Sequence, residues 1–110
     1  MKLLLIINSL TADTSHLKES LDAGLTSAVF GLEVSLLFQG EGVLYLAPET
    51  DINQQSLKDL AIYGIENIYV DEQALSQHQL TATHLAISAM PLDNQAMGTL
   101  LTAQDTVLHF

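Results

Sequence analysis

An uninterrupted apolar run, Leu3–Ile7, constrains the fold more than any other segment of this chain. Its hydrophobicity is continuous rather than alternating, which is typical of a strand buried on both faces, as in a parallel sheet. The run holds five residues and is followed by Asn8 and Ser9, whereas the apolar core of a signal peptide needs about 7–15 residues. We therefore interpret it as the first strand of a sheet and expect a cytoplasmic protein.

Strand-like and helix-like segments alternate along the rest of the chain. Strands are predicted at Leu3–Ile7, Glu33–Phe38, Ile68–Val70, Leu85–Ala89 and Thr106–Phe110. Helices are predicted from Asp13 or Thr14 to Gly31, from Asp51 to Gly64, from Asp71 to about His78 and after Pro91, with a helical turn at Val43–Ala47. This alternation predicts βαβ units and a parallel sheet. We expect one domain, residues 1–110, with an open, mostly parallel five-stranded sheet flanked by helices, flavodoxin-like in class.

Two of these helices carry an apolar face at helical spacing. The first helix is expected to bury Leu17, Leu21, Leu25 and Ala28, and the last is expected to bury Ala96, Met97, Leu100 and Leu101. Both faces would pack on the sheet.

The negative charge of the chain limits the kinds of molecule that it can bind. The net charge is −10, and the only cationic side chains are Lys2, Lys18 and Lys58. Nucleic-acid binding needs clustered Lys and Arg, so we expect no direct nucleic-acid binding by this chain. Charged residues make up 15% of the sequence, below the usual share of about 25%, which indicates that another chain covers part of the surface.

The sequence offers no complete catalytic, metal or cofactor motif. Cysteine is absent, which excludes a disulfide, a thiolate zinc site and a cysteine nucleophile. The four histidines lack metal-ligand spacing; they are His16, His78, His84 and His109. The turn after the first strand has no glycine, as a phosphate-binding loop would require. We expect neither metal nor cofactor.

A glycine-rich acidic loop, Gln39-Gly40-Glu41-Gly42, follows the second predicted strand. Loops at the carboxyl ends of strands are where open α/β sheets usually place their sites. Glu41 and Asp71 each follow a strand and could act as an acid and a base, but we favour structural roles, a solvated loop charge and a helix N-cap. The residues Val43, Tyr45, Tyr63 and Tyr69 are candidates for an interface, with ordinary core packing as the alternative.

Three segments, in this order, resemble the DsrE/DsrF-like sulfur-relay family: LLFQGEGVLYL, LKDLAIYGIENIYVDEQAL and DTVLHF. Glu41 stands where the family pattern often has aspartate. The resemblance implies membership of a TusBCD- or DsrEFH-type complex, built from two copies of each of three similar small subunits. Such complexes relay persulfide sulfur, either for 2-thiolation of the tRNA wobble uridine or for sulfur oxidation.

The resemblance also implies which subunit this is not. The carrier cysteine belongs to the TusD/DsrE-type subunit, at the end of its third strand, and the matching position here is Asp71. An aspartate cannot form a persulfide, since that chemistry requires a thiolate. The resemblance therefore implies a non-catalytic subunit, most similar to the middle one, with partners of the TusB/DsrH and TusD/DsrE types.

Two rival interpretations stay open. One is a homo-oligomeric protein of the same family that binds a small ligand near Gly40, Glu41, Gly42 and Asp71. The other is an enzyme that uses the carboxylates of Glu41 and Asp71.

Overall fold

The computed structural model describes residues 1–8, 15–47, 65 and 67–110. Five strands form one sheet, in the order β4-β3-β2-β1-β5, and every neighbouring pair is parallel. The strands are β1 (Lys2–Ile7), β2 (Glu33–Phe38), β3 (Asn67–Asp71), β4 (Met90–Leu92) and β5 (Thr106–His109). The helices are α1 (Ser15–Val29), α2 (Glu72–Gln77) and α3 (Asn94–Thr102), with short 3₁₀ helices at Gly40–Leu46 and Ala82–His84.

The first strand lies inside the sheet, as its continuous hydrophobicity predicts. In the register, Leu5 pairs with Leu36 of β2 on one side and with Leu108 of β5 on the other. All five residues of Leu3–Ile7 are buried. The predicted fold class is confirmed, although a flavodoxin places β1 between β2 and β3, so the likeness to flavodoxins is one of class and not of strand order.

The two faces of the sheet are covered by different helices. On the first face, Leu3, Leu5 and Ile7 share a core with Leu21 of α1. On the second face, Leu4 and Ile6 share a smaller core with Met97 of α3. Side chains of a strand alternate between faces, so β1 contributes to both cores, and among the described helices only α3 packs on the second face.

The first helix agrees with its predicted pattern in the residues that the structure describes. Leu21 is buried, Leu25 and Ala28 are half-buried against the first core, and the Gly31 N–H donates to the Ala28 carbonyl oxygen where the helix ends. The side chain of Leu17 and the predicted caps Asp13 and Thr14 lie outside the described residues. The predicted helix from Asp51 to Gly64 also lies outside them.

The predicted position of the fourth strand was wrong. Residues 85–89 form no strand, and β4 is Met90–Leu92. The Ala86 N–H donates to the Leu46 carbonyl oxygen at 2.8 Å, outside the sheet, and Leu85, Ile87 and Ala89 pack against the first core. These side chains are apolar because they cover the core, not because they belong to a strand.

Pro91 lies in β4 and precedes the last helix, as the sequence predicts. A proline is tolerated there because β4 is an edge strand. The helix α3 begins at Asn94. Its expected burial is confirmed for Met97, which is 7% exposed, but Leu101 is 37% exposed, so the predicted burial of Leu101 was wrong.

Candidate functional site at the carboxyl end of the sheet

Polar residues follow four of the five strands at one edge of the sheet. Asn8 follows β1, Gln39 follows β2, Asp71 closes β3 and Asp93 follows β4. Because the strands are parallel, their carboxyl ends meet at the same edge. This edge is the candidate site.

The glycine-rich segment after β2 is the first turn of a 3₁₀ helix, Gly40–Leu46, and not a free loop before a helical turn. The Gln39 N–H donates to the Ile7 carbonyl oxygen at 3.0 Å, and the Gly42 N–H donates to the Gln39 carbonyl oxygen at 2.8 Å. Gly40 has φ +51°, a conformation that glycine adopts without steric cost. A Cβ at Gly42 would overlap the Ile7 carbonyl oxygen. The turn is therefore packed directly on the end of β1.

The predicted interface residues of this segment divide between core and surface. Val43 and Tyr45 are fully buried in the first core, whereas Gly40 and Glu41 are exposed. Tyr69 is half-buried against the second core, and Tyr63 lies outside the described residues. An interface role of these residues stays a prediction, and the fully buried side chains of Val43 and Tyr45 contact the chain's own core.

Asp71 begins the helix α2. Its backbone is extended, and its Oδ1 accepts a hydrogen bond from the Gln73 backbone N–H at 3.0 Å. This is the geometry of an N-cap, which satisfies one of the free N–H groups of a helix and places negative charge at its positive end. The sequence predicted this cap.

Asp93 is the N-cap of α3. Its Oδ1 accepts a hydrogen bond from the Ala96 backbone N–H at 2.8 Å. Sequence reasoning missed this residue, because the predicted fourth strand, Leu85–Ala89, ends too early in the chain and leaves Asp93 away from a strand end. The dipeptide Asp93-Asn94 after a short apolar run is the signal that could have found it.

A shallow pocket of about 330 Å³ lies between the two capped helices. It is lined by Asp71, Glu72, Gln73, Ser76, Asp93 and Asn94. The pocket pairs Asp71 with Asp93, and Glu41 does not line it. The structure therefore brings together a different pair of carboxylates from the one that the sequence suggested.

The chemistry open to this pocket is limited by its residues. Three carboxylates and three neutral polar side chains line it, and no lysine or histidine does. In the part of the chain that the structure describes, no group of histidine and carboxylate side chains is placed to hold a metal ion. Each aspartate already uses an oxygen to cap a helix, so both have a structural role.

One contact connects this edge to the second face of the sheet. The Gln39 Nε2 lies 3.7 Å from the Met97 Sδ, in a part-buried hydrogen bond. Gln39 follows β2 and precedes the glycine turn, and Met97 is the buried anchor of α3. The contact links α3 to the residue that follows β2.

Within the described residues, no helix is both long enough and apolar enough to cross a membrane.

Comparison of sequences identifies relatives over most of the chain. It is 32% identical over 99 residues to the Protein TusC homolog of Pseudomonas aeruginosa, covering 83% of this chain and 82% of that one. It is 30% identical to the Protein TusC homolog of Vibrio vulnificus, covering 91% and 92% of the two chains. It is 29% identical to that of Pasteurella multocida over the full length of both.

Comparison of structures supports the fold alone, since the identities are low. The ychN protein from E. coli superposes with a TM-score of 0.83 at 15% identity, covering 99% of this chain and 98% of that one. A protein of unknown function from Methanobacterium thermoautotrophicum superposes with a TM-score of 0.74 at 12% identity, with the same coverage. The sequence model of the DsrE/DsrF-like family matches this chain over residues 1–110. The chain therefore belongs to the DsrE/DsrF-like family.

Proposed function

We propose that this chain is the TusC/DsrF-type subunit of a sulfur-relay complex and supports persulfide transfer for 2-thiolation of the tRNA wobble uridine. Its partners are subunits of the TusB/DsrH and TusD/DsrE types, and the TusD/DsrE-type subunit carries the sulfur. The sequence matches to TusC homologs over most of the chain support this assignment.

The residue at the end of β3 supports the proposal that this chain does not carry the sulfur. There, Asp71 occupies the N-cap of α2, and the chain has no cysteine anywhere. A persulfide forms only on a sulfur atom, so a relay through this chain would need a partner's thiol. The capping carboxylate keeps α2 in place without that thiol, as expected of a subunit that shapes or supports a neighbour's site.

The test combines recovery of partners with a readout on tRNA. The tagged chain is purified from its own cells and analysed by native mass spectrometry, and deletion strains are assayed for 2-thiouridine in total tRNA. We expect two other small subunits in equal copies, one with a reactive cysteine, and loss of 2-thiouridine on deletion. Recovery of this chain alone, with 2-thiouridine unchanged in the deletion strain, would disprove the proposal. If both partners are recovered but 2-thiouridine persists, the role in tRNA thiolation is rejected and sulfur oxidation is the alternative to test.

The pocket between α2 and α3 favours a second candidate function, binding of a small ligand by a homo-oligomer. Its three carboxylates and lack of cationic side chains would select a cationic ligand over an anionic one. A thermal-shift screen of the purified chain with polyamines and amino acids tests this. A rise in Tm that Asp93→Asn abolishes would support it, and no rise with any cationic compound would reject it.

A further inference from the structure

The strand β5 is an open edge of the sheet. It pairs with β1 on one side, and no described strand lies on its other side. An unpaired edge is a template for another strand, and proteins usually protect it with lysine, proline, a bulge or a very short strand. The opposite edge strand, β4, has three residues and contains Pro91. The strand β5 is also short, with four residues, but Thr106–His109 contains neither proline nor lysine.

The backbone groups that β5 leaves free can be assigned from its pairing with β1. The Phe110 N–H donates to the Ile6 carbonyl oxygen at 2.8 Å, and the Phe110 carbonyl oxygen accepts from the Asn8 N–H at 3.2 Å. Both backbone groups of Phe110 therefore face β1. Because these groups alternate along a strand, those of Leu108 also face β1, and those of Val107 and His109 face outward.

The side chains at this edge are apolar on the first face. Leu108 is in register with Leu5, which belongs to the first core, and Phe110 packs against the same core. Leu108 is nevertheless 41% exposed, so apolar area remains uncovered at the middle of the open edge.

The open edge also lacks the negatively charged side chains that make copies of this chain repel each other at other parts of the surface. The net charge of −10 disfavours most self-contacts, but residues 106–110 contain no carboxylate side chain. The nearest one, Asp105, is bound to the start of β1: its Oδ2 accepts from the Lys2 backbone N–H at 2.7 Å, and its own N–H donates to the Lys2 carbonyl oxygen at 2.9 Å.

We propose that β5 pairs antiparallel with β5 of a second copy, about a two-fold axis at Leu108. In this register, Val107 of one copy lies opposite His109 of the other, and the two residues exchange both N–H···O bonds. His109 of the first copy forms the same hydrogen-bonded pair with Val107 of the second. Leu108 faces Leu108 of the second copy in the closer, non-hydrogen-bonded position, and Thr106 faces Phe110. The register uses every outward backbone group of Val107 and His109 and buries the exposed leucines against each other. A two-fold interface needs only this one self-complementary surface.

The absence of cysteine makes the register directly testable, because Leu108→Cys introduces the only thiol of the chain. Non-hydrogen-bonded antiparallel pairs lie about 4.5 Å apart at Cα, within the range of about 4.4–6.8 Å that a disulfide needs. The tagged full-length chain, with whatever partners it retains, is treated with oxidised glutathione and analysed on non-reducing gels. Val107→Cys and His109→Cys are the matched controls, since neither position faces itself in this register.

We expect Leu108→Cys to form a disulfide-linked pair of this chain about tenfold faster than either control, because only that pair has disulfide geometry. Equal rates for the three variants, or no crosslink in Leu108→Cys, would overturn the proposal. The proposal would also be overturned if a different subunit covered the strand, so that oxidised glutathione could not react with the thiol of Leu108→Cys. As a second readout, Leu108→Lys should convert the pair to single copies in native mass spectrometry while the circular dichroism spectrum stays that of the folded chain. A pair that survives Leu108→Lys would contradict the interface.

The inference is independent of sulfur relay. Crosslinking reports contact between copies of this chain, whereas the proposed function is tested by partner recovery and tRNA thiolation, so either one can fail without the other.

Discussion

The carbonyl oxygen of Ile7 occupies the space that a side chain at Gly42 would need. A Cβ there would also lie 2.7 Å from the Ile7 carbonyl carbon, and both groups belong to backbone that is fixed in the sheet. The turn and β1 are therefore packed without room for a methyl group.

Gly42→Ala should lower the free energy of unfolding by about 3 kcal/mol, since overpacking against backbone forces the turn to shift. Urea unfolding of the purified chain measures the change. The control is Gly98→Ala, because a Cβ at this helical glycine meets nothing within 4 Å. That variant should be more stable by up to about 1 kcal/mol, the helix propensity difference. Equal stabilities of the two variants would contradict the packing of the turn on β1.

Substitutions at Asp71 separate a capping role from an acid–base role. Asparagine is as good an N-cap as aspartate, whereas alanine costs about 1 kcal/mol. We expect Asp71→Asn to keep both the free energy of unfolding and the level of tRNA 2-thiouridine in cells, and Asp71→Ala to lose stability alone. If Asp71→Asn abolished 2-thiouridine in a stable protein, the carboxylate would have a chemical role and the enzyme alternative would return.

Burial on the second face predicts unequal costs for two apolar residues of α3. Met97 is 7% exposed and Leu101 is 37% exposed. Truncation of a buried methionine to alanine costs about 2–5 kcal/mol, so Met97→Ala should be clearly destabilising in urea, and Leu101→Ala should cost less than half as much. A larger loss at Leu101 than at Met97 would mean that α3 presents another face to the sheet.

Tyr45 offers a test of core packing against interface formation. Its side chain is fully buried in the first core of this chain alone. We expect Tyr45→Ala to cost about 3–5 kcal/mol, the range for buried aromatic residues, when thermal and urea unfolding are measured on the chain separated from its partners. An unchanged stability of the isolated chain, together with loss of partners from the purified complex, would instead assign the tyrosine to an interface.

The central part of the fold was predictable because its signals are local. Leu3–Ile7 is continuously apolar and lies between two strands, and Gly31 ends α1 where the periodicity stops. In the same way, Asp71 was recognisable as a cap because an aspartate directly after the apolar segment Ile68–Val70 is a typical start of a helix.

The region between Leu85 and Pro91 was misread for a physical reason. Apolar side chains in an irregular segment that covers the core give the same pattern as a buried strand, and the true strand is short and contains a proline. Because the strand was predicted too early in the chain, the sequence did not identify Asp93 as a cap. For the same reason it did not predict the pocket that Asp93 forms with Asp71. A pairing between two groups so far apart in the chain depends on where both strands end, and no local pattern contains that information.

The order of the strands has a consequence for how the chain is made. The most apolar strand, β1, is the first of the five to leave the ribosome, while β5, which pairs with one of its two sides, is the last. Until Thr106–His109 has been synthesised, β1 can pair with β2 but keeps a bare hydrogen-bonding side and uncovered leucines, a species prone to aggregation. One side of β1 therefore stays unpaired until the last of the five strands has been made, and truncation before β5 should yield an insoluble product rather than a smaller soluble sheet.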